Sequence, residues 1–321
     1  MAELFRRPTK ERMLAFPEPE ALEFPGCRPV RIPRSRIADH EGRFEFWDAD
    51  TEVAMVVREP TTTWHEHPSQ RLRDLATLIS AARGSPIETF GTADLAVLGP
   101  KGDPRRILQA DQCLYLRPLE ESPGRIVEVG EDALPDVVLE VDLTTDVYRG
   151  KLSLYEAWGF PEVWVEVPDR AVRGPRSKRQ PGLSIHVRGQ KGFRASPISL
   201  AFPGWTAGEI HLALNEPTLS LATVAVLRRV GRVLGTPEGT GPDEHAFLGE
   251  ERRESRAEGR AEMLHAIVVQ TLTTRGIAVP SALAERLTEV GDDSAEAVMK
   301  AALTCRDEAD FVKLLEGQAS P

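Results

Sequence analysis

Two carboxylates and one lysine in this sequence have the spacing needed to form one reactive site. Glu140 lies within the otherwise apolar run 137–141, and Asp111 interrupts the apolar run 107–116. Burying a carboxylate in an apolar strand is expensive unless the group is paired or holds a metal. Lys151 follows Glu140 by eleven residues in a segment of helical pattern, so a helix can return it to the end of that strand.

Such a group suits metal-assisted hydrolysis of a phosphodiester bond. Two carboxylates on neighbouring strands can hold Mg²⁺, which polarises the phosphate and lowers the pKa of a bound water, while a lysine stabilises developing charge or orients that water. Ligands that are all oxygen favour Mg²⁺ or Mn²⁺ over zinc. Each residue also has a structural alternative: Glu140 paired with an arginine at a strand end, Asp111 as a polar edge residue, and Lys151 as a solvated helix lysine.

The segments that must position these residues predict a strand–helix–strand unit. Strands are predicted at 137–141 and 163–167, with a helix between them at 146–158 that ends at Gly159. Near-continuous apolar strands joined in this way imply a right-handed crossover in a sheet that is covered on at least one face. We therefore expect an α/β fold, with a central mixed sheet flanked by helices and a C-terminal helical region.

Further elements surround this unit. Period-two apolarity predicts additional strands, and helical periodicity predicts one helix before the site and several after it. The additional strands are 43–47, 52–58, 95–98, 108–116, 183–187 and 193–198, and the additional helices are 68–82, 218–234, 263–274, 280–289 and 294–303.

The composition divides the chain into three parts. Residues 1–40 are rich in proline and predict an irregular N-terminal arm, whereas residues 41–235 predict the main domain. A Gly/Pro-rich break at 235–242 separates that domain from a helical tail at 243–317. The tail carries an apolar stripe on charged helices, which favours self-association, and we expect a homodimer.

The charge of the chain is unevenly distributed. A net charge of -10 argues against a protein built mainly to coat nucleic acid, which would normally be basic. A basic stretch nevertheless runs from 170 to 194 without Asp or Glu, and it predicts either a solvated loop or contacts to DNA phosphates. The residues expected to make those contacts are Arg170, Arg173, Arg176, Lys178 and Arg179.

The composition also indicates the compartment. No apolar run is long enough to span a bilayer, so we expect no membrane partner. Cys27, Cys113 and Cys305 are few and far apart, which predicts neither a disulfide framework nor a pair of zinc ligands. These features are typical of a cytoplasmic protein.

Several short motifs point together to one family. They are Pro135-Asp136-Val137-Val138-Leu139-Glu140, Thr144-Thr145-Asp146, Lys151, Leu154-Tyr155 and Gly159-Phe160-Pro161-Glu162-Val163-Trp164, preceded by Leu108-Gln109-Ala110-Asp111. In these motifs the chain resembles the Uma-two type restriction endonuclease family of the PD-(D/E)xK nuclease superfamily. The resemblance covers roughly residues 40–205 and is strongest at 135–168.

The resemblance implies a restriction-endonuclease-like core, which would be the domain at 41–235, and Mg²⁺-dependent endonuclease activity on DNA. Asp111 and Glu140 would be the metal ligands, with the Val141 carbonyl as a third, and Lys151 would be the catalytic lysine. Asp142 departs from the superfamily pattern, because it stands where the lysine of the ExK motif is expected. The family moves that lysine into the following helix, which is the place of Lys151.

Two other classes of function stay open at this stage. The first is a catalytically inactive protein that keeps the nuclease fold and acts as a DNA-binding or regulatory module. In this alternative Asp142 is the residue that abolishes catalysis. The second is a protein-interaction module in which the helical tail is the functional part.

Overall fold

The computed structural model describes two compact units, Met1–His245 and Ala246–Pro321. The described residues are 22–58, 63–117, 119, 126–143, 145–169, 180–235, 246–280 and 295–316. Among these residues, no helix has both the length and the apolar composition that crossing a bilayer requires.

The described part of the first unit contains more strands than helices. Its elements in chain order are β1 (Cys27–Arg31), α1 (Arg34–Ile37), β2 (Phe46–Asp48), β3 (Val53–Val57), α2 (Thr63–Arg83), β4 (Glu88–Gly91), β5 (Asp94–Leu98), β6 (Pro104–Gln109), β7 (Gln112–Tyr115), β8 (Ile126–Glu128), β9 (Val137–Val141), α3 (Lys151–Trp158), β10 (Glu162–Val167), β11 (Gly182–Gly189), β12 (Gly192–Ser196), α4 (Ala207–Asn215) and α5 (Leu221–Leu234). A 3-10 turn, Val147–Arg149, precedes α3.

The strands form two mixed sheets. The first sheet has the order β1-β3-β2-β6-β5-β8, and the second has the order β12-β11-β10-β9-β7-β4. Strands β9 and β10 are parallel, with Val138 opposite Val163, as the predicted strand–helix–strand unit requires. The predicted α/β class is confirmed at this level, but two mixed sheets take the place of the single central sheet.

The predicted strand 108–116 is two strands that belong to different sheets. Strand β6 ends at Gln109 in the first sheet and β7 begins at Gln112 in the second, so the chain crosses between sheets at Ala110 and Asp111. Both crossing residues are buried. The burial pattern therefore continues across the break, which is why apolar periodicity alone predicts one strand.

The second sheet is covered on both faces. Helices α2, α4 and α5 cover one face, where Leu139 and Trp164 lie in the core. Helix α3 and the first sheet contribute to the core on the other face, where Val138 packs in the same cluster as Tyr155. Because side chains alternate across a strand, Glu140 lies on the same face as Val138, toward α3 and the first sheet.

Part of the expected N-terminal arm is regular structure. Strand β1 pairs antiparallel with β3 at the edge of the first sheet. Pro29 is tolerated there because an edge strand needs hydrogen bonds on one side only. The buried side chains of Cys27 and Ile32 hold this part of the chain on the first unit.

The second unit is helical in its described residues. Its elements are α6 (Ala246–Thr274), α7 (Ala295–Thr304) and α8 (Glu308–Glu316). A small core forms around Val268, Leu272, Val298 and Phe311. Beyond Pro280, the predicted helix 280–289 lies outside the described residues.

Helix α5 contacts α2 at Gly231, where there is no room for a side chain. A Cβ atom at this position would lie 2.7 Å from Ala82 Cβ, 2.8 Å from the Ile79 carbonyl oxygen and 2.9 Å from the Arg83 amide nitrogen. We expect Gly231→Ala to force the helices apart and to lower the free energy of unfolding by about 1–3 kcal/mol. Urea unfolding of the full chain measures this change.

The matched control for this prediction is Gly208→Ala in α4. An added Cβ at Gly208 meets nothing within 4 Å, so helix propensity alone should act there and leave stability unchanged or slightly raised. Equal destabilisation by the two substitutions would contradict the close contact at Gly231.

A buried carboxylate on β10 ties α4 to the second sheet. The two carboxylate oxygens of Glu166 lie 2.9 and 3.1 Å from His211 Nδ1. Glu166 Oε1 also accepts a hydrogen bond from Asn215 Nδ2 at 2.8 Å. On its other side, His211 Nε2 lies 3.0 Å from Asp169 Oδ1. The hydrogen bond to Glu166, opposed by burial, raises the pKa of His211 from its ordinary value of 6.5.

This raised pKa predicts a pH-dependent contribution to stability. Below the pKa that His211 has in the unfolded chain, the protonated imidazole stabilises the fold to its full extent. This contribution is lost as the pH rises through the higher pKa that His211 has in the folded chain. We expect the free energy of unfolding of the wild type to be higher than that of His211→Gln by about 1.5–3 kcal/mol near pH 6. Near pH 9 the difference should be smaller. Urea unfolding at both pH values tests this, and an unchanged difference would contradict it.

Candidate active site

Glu140 lies on β9 and is buried. Its Oε1 atom accepts a hydrogen bond from the Tyr155 hydroxyl, and its Oε2 atom accepts one from Lys151 Nζ at 2.8 Å. Burial raises the pKa of Glu140 to about 8. The charge of Lys151 opposes this rise, whereas the nearby carboxylates of Asp111 and Glu45 add to it.

Lys151 is the first residue of α3 and is only 2% exposed in its side chain. Its Nζ atom lies 2.5 Å from Glu45 Oε2, 2.8 Å from Glu140 Oε2 and 2.7 Å from the Gln109 carbonyl oxygen. Burial alone would lower the pKa of Lys151, but the charges of Glu140, Glu45 and Asp111 outweigh it and raise the pKa. The ammonium group is therefore charged at neutral pH, with two hydrogen bonds and an additional ion pair to Glu45.

Asp111 lies where the chain crosses between the two sheets. Its Oδ2 atom accepts a hydrogen bond from the Val141 amide at 2.7 Å, and its Oδ1 atom accepts one from Arg43 Nη2. His65 Nε2 lies 3.5 Å from Oδ2. Burial would raise the pKa of Asp111, but His65, Arg43, Lys151 and the Val141 amide together lower it.

The structure thus brings together the three residues that the sequence selects for one site. They come from separate elements: Asp111 from the crossing between sheets, Glu140 from β9 and Lys151 from α3. The Val141 carbonyl, predicted as a third ligand, accepts a hydrogen bond from the Leu143 amide at 3.0 Å and has a second lone pair.

Two further charged residues belong to this cluster and were not predicted from the sequence. Glu45 is buried between Phe44 and Phe46, just before β2, and contacts Lys151. Arg43 links Asp111 to the surface residue Glu66, whose Oε1 lies 3.4 Å from Arg43 Nη1. The available signal was a charged residue within the apolar segment 43–47, but a strand with one solvent-facing side has the same pattern.

The cluster offers an oxygen-only donor set for a metal ion. The buried carboxylates of Glu45, Asp111 and Glu140 face the cations Arg43 and Lys151. Among the described residues, no group of three or more His, Cys, Asp or Glu side chains has the arrangement of a metal site. A metal would therefore rest on the two predicted carboxylates and the main-chain carbonyl, which matches the way that Mg²⁺ binds with water completing its shell.

Asp142, the residue that departs from the family pattern, lies in the turn that leads to α3. Its Oδ1 atom accepts a hydrogen bond from the Val147 amide at 3.4 Å, and its own amide donates to the Glu166 carbonyl oxygen at 2.8 Å. Its carboxylate therefore helps to fix the turn that precedes Lys151.

The remaining predicted contacts fall on other parts of the chain. The five basic residues selected for DNA contact, at 170–179, lie outside the described residues. Asp136 immediately precedes β9, and its Oδ2 atom accepts a hydrogen bond from the Leu116 amide at 2.7 Å. That contact gives Asp136 a structural role.

Comparisons with known proteins find little that is similar to this chain. No protein-family model matches the sequence. No protein with a curated description matches it either. Among solved structures, the chain is similar to the crystal structure of "a putative nuclease belonging to DUF820" from Anabaena variabilis ATCC 29413, with 10% identity, a TM-score of 0.34, and coverage of 61% of this chain and 99% of that one.

Proposed function

We propose that this protein is a divalent-metal-dependent endonuclease that hydrolyses phosphodiester bonds in DNA. The observation that carries the proposal is the meeting of Asp111, Glu140 and Lys151 in one buried cluster. Burying charged groups costs several kcal/mol per ion, and replacing a buried ion pair by apolar residues is often neutral or stabilising. A cluster of this kind, with strongly shifted pKa values, is therefore better explained by a role in binding or catalysis than by a contribution to stability.

The carboxylates of Asp111 and Glu140, with the Val141 carbonyl, would hold Mg²⁺ or Mn²⁺. The metal, when bound, supplies polarisation of the phosphate and a bound water of lowered pKa. The oxygen-only donor set supports this assignment, because carboxylate and carbonyl oxygens are the ligands that Mg²⁺ prefers.

The surrounding residues of the chain orient this donor set. The Val141 amide and Arg43 hold the two oxygens of Asp111, and Lys151 and Tyr155 hold the two oxygens of Glu140. Preorganised carboxylates need no rearrangement of the backbone before reaction. In this proposal the basic residues at 170–179 contact DNA phosphates.

The proposal includes a homodimer, because cutting both DNA strands is easiest with two sites. Met263 and Ile267 are exposed apolar residues one helical turn apart on α6, so they form an apolar strip on the surface of that helix. In this proposal these two residues contact the second copy of the chain.

One observation favours a second candidate, a catalytically inactive protein that keeps this fold and binds DNA. All four carboxylate oxygens of Asp111 and Glu140 accept hydrogen bonds within the chain. In that case the cluster stabilises the fold and holds no metal. The two candidates differ in whether DNA is cut.

A plasmid-nicking assay separates these candidates. With Mg²⁺ or Mn²⁺, we expect the wild-type protein to nick supercoiled DNA and Glu140→Gln or Asp111→Asn to reduce the rate about 100-fold or more, because each substitution removes a proposed ligand. Glu162→Gln is a matched control, since Glu162 is a buried glutamate on β10 that binds the Leu200 and Ala201 amides.

The control should retain nicking if its thermal unfolding is unchanged. Equal rates for the wild type, Glu140→Gln and Asp111→Asn would remove the enzyme proposal. Salt-sensitive DNA binding without any nicking would instead support the inactive candidate.

Metal binding is tested without DNA by thermal unfolding. At a Mn²⁺ concentration about 100-fold above its Kd, we expect wild-type stability to rise by about 2.7 kcal/mol, because the metal binds the folded chain only. Asp111→Asn should lose most of this rise, whereas Glu162→Gln should keep it. The same rise in Asp111→Asn would exclude Asp111 as a ligand.

A further inference from the structure

Lys151 is enclosed by groups of the chain and is shielded from a substrate. Its Nζ atom donates hydrogen bonds to Glu140 and the Gln109 carbonyl oxygen at 2.8 and 2.7 Å and forms an ion pair with Glu45 at 2.5 Å, and its side chain is 2% exposed. A phosphate could reach the ammonium group only by displacing a buried carboxylate or a main-chain carbonyl. Each displaced group would lose its partner in an environment where lost partners are costly.

Arg43 is the other cation of the cluster, and its surroundings differ. Its side chain is 23% exposed, although its Nε atom is buried and has no hydrogen-bond partner among the described residues, so the exposed part is the outer end of the guanidinium group. One side of the guanidinium group binds buried Asp111, and Nη1 faces Glu66 at 3.4 Å. Glu66 is 41% exposed in its side chain, so this contact lies at the surface and is weak.

We infer that Arg43 is the residue that binds a substrate phosphate at this site, and that Lys151 is a positioning residue for Glu45 and Glu140. The inference rests on the proposed function and assigns roles within it. The phosphate would replace Glu66 at the guanidinium group, while Asp111 keeps the arginine in place. An arginine suits this role because its planar fork presents several donors to phosphate oxygens at once.

The test measures binding of a short DNA duplex to the full chain in EDTA, where no cleavage occurs, over a range of salt concentrations. In each of two matched pairs, the double variant removes a cation together with one of its carboxylate partners. The Arg43 pair compares Asp111→Asn with Asp111→Asn/Arg43→Met. The Lys151 pair compares Glu140→Gln with Glu140→Gln/Lys151→Met. Thermal unfolding identifies any variant that does not fold, and Arg43→Lys then serves as the second Arg43 variant.

We expect removal of Arg43 to weaken DNA binding about tenfold and to reduce the slope of log Kd against log salt by about one, the value for one lost phosphate contact. The Lys151 pair should have equal affinities and equal slopes. In the wild-type background, Glu66→Gln should tighten binding because the competing carboxylate is gone, and the same substitution should have a smaller effect when Arg43 is absent.

A reduced slope in the Lys151 pair, or an unchanged slope in the Arg43 pair, would overturn the inference. If the wild type still nicks plasmid with Mg²⁺ or Mn²⁺, either result leaves the proposed function standing. A folded wild-type chain that neither binds nor nicks DNA would overturn both.

Discussion

The contact of the Lys151 ammonium group with three acceptors joins the layers of the first unit at the candidate site. Glu45 and the Gln109 carbonyl come from segments of the first sheet, Glu140 comes from the second sheet, and the lysine itself begins α3. Without this charge the two glutamates would face each other unpaired, and breaking a buried pair of this kind typically costs about 3–5 kcal/mol. The helix dipole disfavours a lysine at the start of a helix, so the two carboxylates also offset that cost.

Exposure increases in one direction across the cluster. Lys151 is enclosed, Arg43 lies at the boundary, and Glu66 reaches the surface. The enclosed end has fixed geometry because every donor there has an acceptor. The outer end has a partly exposed arginine with a long contact to an exposed carboxylate, so exchange of partners is easiest there. The same cluster therefore combines a rigid interior with an adaptable surface.

The residues most easily predicted from the sequence were those that break a local pattern. Glu140 stands out in an apolar strand, and its spacing to Lys151 predicts that the helix returns the lysine to it. Glu45 does not stand out, because a glutamate between Phe44 and Phe46 equally fits a strand with one solvent-facing side. Its burial depends on segments that are distant in sequence, and no local pattern contains that information.

The fold was predictable to a similar extent. The parallel pair β9 and β10 follows from a short helix between two apolar strands, and Gly159 ends that helix with a positive φ of 93° as its position suggests. Helix α4 was not predicted, since its clearest signal is a capping box formed by Thr206 and Glu209 ahead of a short apolar stretch. The division into two sheets was not predictable from periodicity either, because the crossing residues are as buried as the strands they join.

The crossing of the chain at Ala110 and Asp111 also bears on how the first unit folds. The strands β6 and β7 follow one another directly in the chain, yet each completes a different sheet. The segments that carry Glu45, Asp111 and Glu140 are far apart in sequence, and the entropy of closing such long loops is lost before their contacts form. We therefore expect the acidic cluster to be assembled late, when the two sheets dock, and partly folded chains to carry these carboxylates as ordinary solvated groups.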